Sequence, residues 1–445
     1  MRTILVKMVR SALAVICALA FTACQSTPQR PLEAIVGATL IDGNGGPAIA
    51  DSIVVIEGSR IRAAGPRSDV PIPAAAEKID GRGRWIVPGL IDLHVHLGAK
   101  AAPEFVAADY TRERIERNLN AYLRFGVTTV RSVGTDREAG FEVRKAQRAG
   151  ARIGARLFTA GRGFTCTGGH PSQEIGAIAR QVDTPEEARK QVAELDAQQA
   201  DLIKIWVDSL GGKAPKIKGD VRAAIVSEAQ RFRIPVVAHI QSLADTQQLL
   251  KAGASGFLHM VRDTEEIPQA FLDELKAKQI VFTPTLVRQE LAWLYREHPE
   301  LLDAADVVPS LEPGVLEAVR AAAAKREASP AARKEFDIAV RNTRKFALAG
   351  ISIAVGSDGG SSIDFPGAMT HRELEILVGG GFTAGEAIMA ATRNGALALG
   401  KTADFGTIEK GKLADLVIVT ADPLADVRNL RKIERVMYEG EWTAR

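Results

Sequence analysis

Cysteine is nearly absent from this chain, with three in 445 residues. Cys17 falls inside an apolar leader and Cys24 at its end, which leaves Cys166 alone afterwards and excludes a disulfide within the mature chain. Charge of either sign is barely in excess: 57 Lys and Arg against 54 Asp and Glu give a net charge of +3. No basic stripe is interleaved with aromatics, which argues against nucleic acid as a partner. Neither GxGxxG nor GxxxxGK follows the first strand of the α/β region, and this weakens a nucleotide-binding reading. What is present is a chain 46% hydrophobic and 25% charged, long enough to bury a large core in one barrel with a small accessory domain.

Residues 1–23 read as a signal peptide. Arg2, Lys7 and Arg10 precede an apolar run from Ser11 to Phe21, which closes with small residues before Cys24 and is too short and wrongly flanked for a spanning helix. Residues 21–24 resemble a bacterial lipobox, in which the cysteine is acylated and becomes the mature N-terminus. Phe21 stands where leucine is more usual. Gln25 carries no acidic retention signal, which implies the outer membrane on its periplasmic side, held only by acyl chains worth ~0.8 kcal/mol per buried CH₂. A cleaved, freely soluble periplasmic protein is the alternative.

Residues 24–33 are polar and contain proline, a tether in character. Residues 34–87 and 404–445 share a texture of short strands and turns, and the two pieces are expected to pair as one small β-sandwich domain because neither has enough strands to bury a core. Between them, residues 88–403 alternate apolar runs with amphipathic helices. Strands are expected near LIDLHV, GVTTVRSV, RLFTAG, LIKIWV, PVVAHI, GFLHM, IVFTPT and ISIAVGS. Eight such strands with helices between them predict an α/β fold, a (β/α)₈ TIM barrel in preference to an open doubly wound sheet. Two long connections, at 161–180 and 287–331, fall where barrel loops build substrate pockets.

Six potential metal ligands recur at the ends of these runs: His94, His96, Lys204, His239, His259 and Asp358. A parallel barrel would gather such tips at one mouth. Residues two apart on a strand face the same way, so His94 and His96 can chelate one ion. Singly, each histidine reads as an ordinary core residue and Asp358 in GSDGG as a turn aspartate. Their joint order overturns that reading.

The PGLIDLHVH entry, GVTTVRSVG, the IK, AH and LH strand ends, GSDGG, the AAT and GALALG segments and the closing GTIEKGKLADLVIV together make the chain similar to the amidohydrolase superfamily. Within it, the resemblance is to metal-dependent carboxypeptidases, proline-type dipeptidases and imidazolonepropionase-like enzymes. The resemblance implies two divalent metal ions, zinc suiting the imidazoles best. His94, His96 and Asp358 would hold one ion and His239 and His259 the other, with Lys204 N-carboxylated by CO₂ as a bridge. A mononuclear site on His94, His96, His239 and Asp358 is the fallback.

The implied activity is hydrolysis of an amide C–N bond in a dipeptide or N-acyl amino acid. Asp358 would act as general base and then acid, with His170 donating to the oxyanion. Tyr110, Arg131, Arg162 and Arg288 are candidates for binding a substrate carboxylate, and His371 for supporting the site from behind. A cyclic amidase or deaminase of imidazolonepropionase type is the second reading, and a metal-binding envelope lipoprotein without turnover the third. A homo-oligomer is compatible with each.

Overall fold

The computed structural model describes residues 32–98, 110–304, 307, 311–360 and 363–443. The leader, Cys24 and most of the tether lie outside them. Both ends of the described chain meet in one eight-stranded sheet, where Leu416–Val419 pairs antiparallel with Trp85–Pro88 and sets Ile418 opposite Ile86. Along the strand Ile49–Glu57, Val54 and Ile56 pack with Ile35, Leu40 and Ile61, while Ile53 and Val55 join Ala34 and Val70. This two-residue alternation covers both faces of the strand. The expected sandwich is thus hydrogen bonded as a single sheet with an apolar cluster on each face.

Pro88 hands the chain to a mixed α/β region of parallel strands. One sheet holds Leu90–Val95, Val127–Gly134 and Arg156–Arg162. A seven-stranded sheet holds Ile203–Trp206, Val236–His239, Gly256–Leu258, Val281–Thr283 and Ser352–Ile353, with the short strands Phe164–Thr165 and Arg180–Gln181 at its edge. The two sheets exchange backbone hydrogen bonds at both margins: Leu93 N–H to Val355 O and His96 N–H to Gly359 O at one, and Asp201 N–H to Thr159 O at the other, each at 2.9 Å.

Local chemistry sets the crossovers between these strands. Thr184 caps the helix Pro185–Ala197 through a capping box with Glu187, with proline in the first turn, and Ser242 caps Leu243–Ala252. The 287–331 connection is largely helical, where a long loop was expected. Val315, Val319 and Ala323 fall on one buried face of the helix Val315–Lys325, a helical period that the flanking irregular sequence obscures. Among the described residues no helix is long and apolar enough to cross a membrane.

Candidate metal centre

The C-terminal tips of the parallel strands converge on Asp358. His96 Nε2 lies 2.8 Å from Asp358 Oδ1 and His94 Nε2 3.5 Å, while His259 Nε2 is 4.0 Å from Oδ2. The two histidines of the HxH pair are braced from behind: Thr285 Oγ1 sits 3.1 Å from His94 Nδ1 and Thr135 Oγ1 3.1 Å from His96 Nδ1. With Nδ1 engaged, each ring presents Nε2 to the centre. The His239 ring lies 4.3 Å from that of His259, and its Nε2 is 2.6 Å from Asp208 Oδ2. The His170 ring follows at 5.5 Å from His239. Two sets of three, His94, His259 and Asp358, and His170, Asp208 and His239, have ligand atoms that lie within 4.8 Å of one another in each set, with His96 beside the first.

The backbone is bent to bring these groups inward. His259, Thr285 and Asp358 all have positive φ, at 65°, 54° and 62°, a left-handed conformation that costs a non-glycine residue on the order of 1–3 kcal/mol. Gly360 is required beside them, since a Cβ there would stand 2.0 Å from the His96 carbonyl oxygen. Asp92 locks the turn from below. Its carboxylate accepts from the Ser357 and Thr370 hydroxyls, both at 2.6 Å, and from the backbone N–H groups of His94 and Ser357.

Burial sets the protonation states that metal binding needs. It pulls His94 and His259 well below the ordinary imidazole range, and His239 down to about 4 against the opposing bond to Asp208. These three are therefore neutral at pH 7, the form that ligates. For Asp358, burial pushes upward but His94 and His96 prevail and keep the carboxyl well below its usual range. Lys204 is 0% exposed and its Nζ has no hydrogen-bond partner among the described residues. Burial brings its ammonium down to about 7, with Asp358 opposing and Arg131 reinforcing. Neutral imidazoles, an ionised carboxylate and an orphaned amine are a donor set suited to two divalent ions.

Not every expected contact reaches this centre. Arg288 does, with Nε 3.5 Å from Asp358 Oδ2 and Nη1 3.9 Å from Asp364 Oδ2. It rides on the helix Leu286–Glu290, whose first amides are bound by the buried Glu373. Tyr110 is instead buried, its hydroxyl accepting from Arg137 N–H at 2.9 Å beside Asp136. Arg162 donates to the Ile178 carbonyl and lines a surface cleft with Arg180 and Glu194. Arg131 sits mid-strand rather than at a tip, and its side chain runs to the opposite ends of the strands. His371 donates Nε2 to the Phe125 carbonyl, buried behind the strands. Sequence reasoning missed Asp208, although an acid just past the IKIWV run carries the same signal that selected Asp358. Asp92, Thr135 and Thr285 carry no such signal.

A family model described as the Amidohydrolase family matches residues 85–443. Imidazolonepropionase of Streptomyces griseus subsp. griseus is 27% identical over 400 residues, 85% of this chain and 88% of the relative. Among solved structures, a Xaa-Pro dipeptidase with methionine bound in its active site superposes with a TM-score of 0.75 at 25% identity, covering 93% of this chain and 99% of the other. Molinate hydrolase superposes with a TM-score of 0.71 at 26% identity, covering 93% and 95%. The chain belongs to the amidohydrolase family and is a hydrolase acting on carbon–nitrogen bonds.

Proposed function

We propose that the parallel strands close as a (β/α)₈ barrel and that the protein is a two-metal amidohydrolase acting on dipeptides or N-acyl amino acids. The orphaned, fully buried amine of Lys204 carries this reading. Among the described residues the lysine has no ion pair to satisfy it, and an unpaired buried cation is costly. Addition of its neutral amine to CO₂, with loss of one proton, converts it into a two-oxygen anion placed among the imidazoles. Asp208, beside His239, adds one donor to the second position beyond those the family resemblance implied.

Bound divalent ions, zinc by preference, would supply Lewis acidity and a water acidified from 15.7 toward ~7. Asp358 takes the proton of the attacking water and delivers it to the departing nitrogen. His170 donates to the oxygen of the scissile carbonyl. Arg288 binds the substrate's carboxylate with its guanidinium, a role supported by its place beside Asp358. Tyr110, Arg131 and Arg162 have no part in it. The leader supports export, with Cys24 as a lipid attachment point on the periplasmic side of the outer membrane.

Hydrolysis of a cyclic amide is the second reading, favoured by the imidazolonepropionase relatives. The two are separated by assaying the metal-loaded enzyme on Xaa-Pro and other dipeptides, N-acyl amino acids, and imidazolone or hydantoin rings. Turnover of the linear acids with a KM that rises in Arg288→Met supports the first reading. Turnover confined to the rings sinks it.

A further inference from the structure

A second cavity of about 370 Å³ lies at the N-terminal ends of the parallel strands, bounded by Phe158, Leu202, Val237 and Val281. Leu202, Pro235 and Ser255 border it and precede the strands that lead to Lys204, His239 and His259, so this cavity opens at the ends opposite those carrying the histidines. Its walls are mostly apolar, with Ser255 and Thr283 among them, and Arg131 reaches into it while only 4% exposed. The guanidinium makes one hydrogen bond among the described residues, from Nε to the Leu93 carbonyl at 2.8 Å. Among the described residues no carboxylate stands within ion-pair distance of it. The acid whose field reaches it, Asp92, is taken up by two hydroxyls and two backbone amides. Burial lowers Arg131 only to about 10, so it stays cationic at neutral pH.

The remaining charges do not offset it. Asp201 borders the same cavity but is engaged by Arg144 at 2.9 Å, by Arg148 and by the Thr159 N–H. Arg148 and Lys401 stand at the rim, Arg148 paired with Asp201 and Lys401 3.8 Å from Asp404. A buried cation with open donors, at the bottom of an apolar cavity of ligand size, matches an amphipathic anion.

We propose that this cavity is a binding site, separate from the metal centre, for a small organic monocarboxylate with an apolar body. The carboxylate pairs with the Nη atoms of Arg131 in the bidentate manner that guanidinium favours. Its hydrocarbon part lies against Phe158, Leu202, Val237 and Val281. Inorganic anions would meet the charge but leave the apolar walls uncovered.

The test uses the full-length, metal-loaded protein with p-bromobenzoate as probe. Calorimetric titration is expected to show saturable binding, at least about tenfold weaker for the neutral p-bromobenzamide and for inorganic phosphate, since tenfold is ~1.4 kcal/mol and one charge-assisted bond exceeds that. Anomalous diffraction from crystals with the probe is expected to place bromine against Phe158 and Val281. Arg131→Met should abolish that binding, and Lys401→Ala at the rim should weaken it severalfold. Bromine found only at the metal centre, equal binding of benzamide or phosphate, or undiminished binding by Arg131→Met each overturns the proposal. If Arg131→Met does not fold, the bromine position in the unaltered protein decides.

Discussion

Ser357 donates its hydroxyl to Asp92 across 2.6 Å, and this bond ties the residue before Asp358 to the strand that carries His94 and His96. The Asp358 carboxylate and two imidazoles of the site are thereby held by a single buried group. Asp92 is 0% exposed, so its four accepted hydrogen bonds are made away from water, where each is hard to replace.

Replacing Asp92 by Ala should therefore destabilise the protein by about 3 kcal/mol, because it orphans two buried hydroxyls and two amides. Metal content should fall as well, since the turn carrying Asp358 loses its anchor. Thermal unfolding and metal analysis of Asp92→Ala check both. Full metal content with an unchanged Tm would show that Ser357 and Thr370 hold the turn without it.

Asp358→Asn should retain the fold and most of the metal while turnover falls by ~10²-fold or more, the usual share of a positioned general base. The amide keeps the shape and one acceptor oxygen but cannot take a proton. Steady-state kinetics beside metal stoichiometry separate the two roles. Activity within a few fold of the unaltered enzyme would remove Asp358 from proton transfer.

Lys204 predicts a pH dependence. Its folded-state pKa of about 7 lies below the ordinary lysine value of 10.5, so between those limits the unfolded chain binds a proton that the folded chain does not. In the metal-free protein this contribution to stability rises with pH across that window and is lost as pH falls toward 7. Lys204→Met should flatten that rise and raise metal-free stability near pH 7. Denaturant unfolding at several pH values reads the slope. In parallel, ¹³C NMR with labelled bicarbonate should show a carbamate signal in the metal-loaded protein above about pH 7, absent in Lys204→Met.

Asp208→Asn should weaken one of two bound metals by ~10–100-fold, the range typical of groups that hold or orient a ligand. Its carboxylate lies 2.6 Å from His239 Nε2, and His170 completes the same set. Competitive chelation monitored by metal release should become biphasic. Two metals lost together at the original rate would place Asp208 outside the centre.

The order of strands and helices was legible because burial on both faces leaves continuous apolar runs, as in LIDLHV and PVVAHI, and because Thr184 with Glu187 or Ser242 mark helix starts by their own chemistry. The candidate histidines were legible for a related reason: a polar residue at the end of such a run needs a partner there. Other features depend on residues far apart in the chain. Nothing local joins Asp92 to Ser357 and Thr370, sets Thr285 behind His94, or sends Arg131 away from the centre that Arg288 reaches. Side-chain periodicity reports which face a residue takes, whereas the depth of a mid-strand side chain and its partner across the sheets follow from register and packing. Those are properties of the assembled strands, and they decided which arginine lies beside Asp358 and which faces the cavity at the opposite ends.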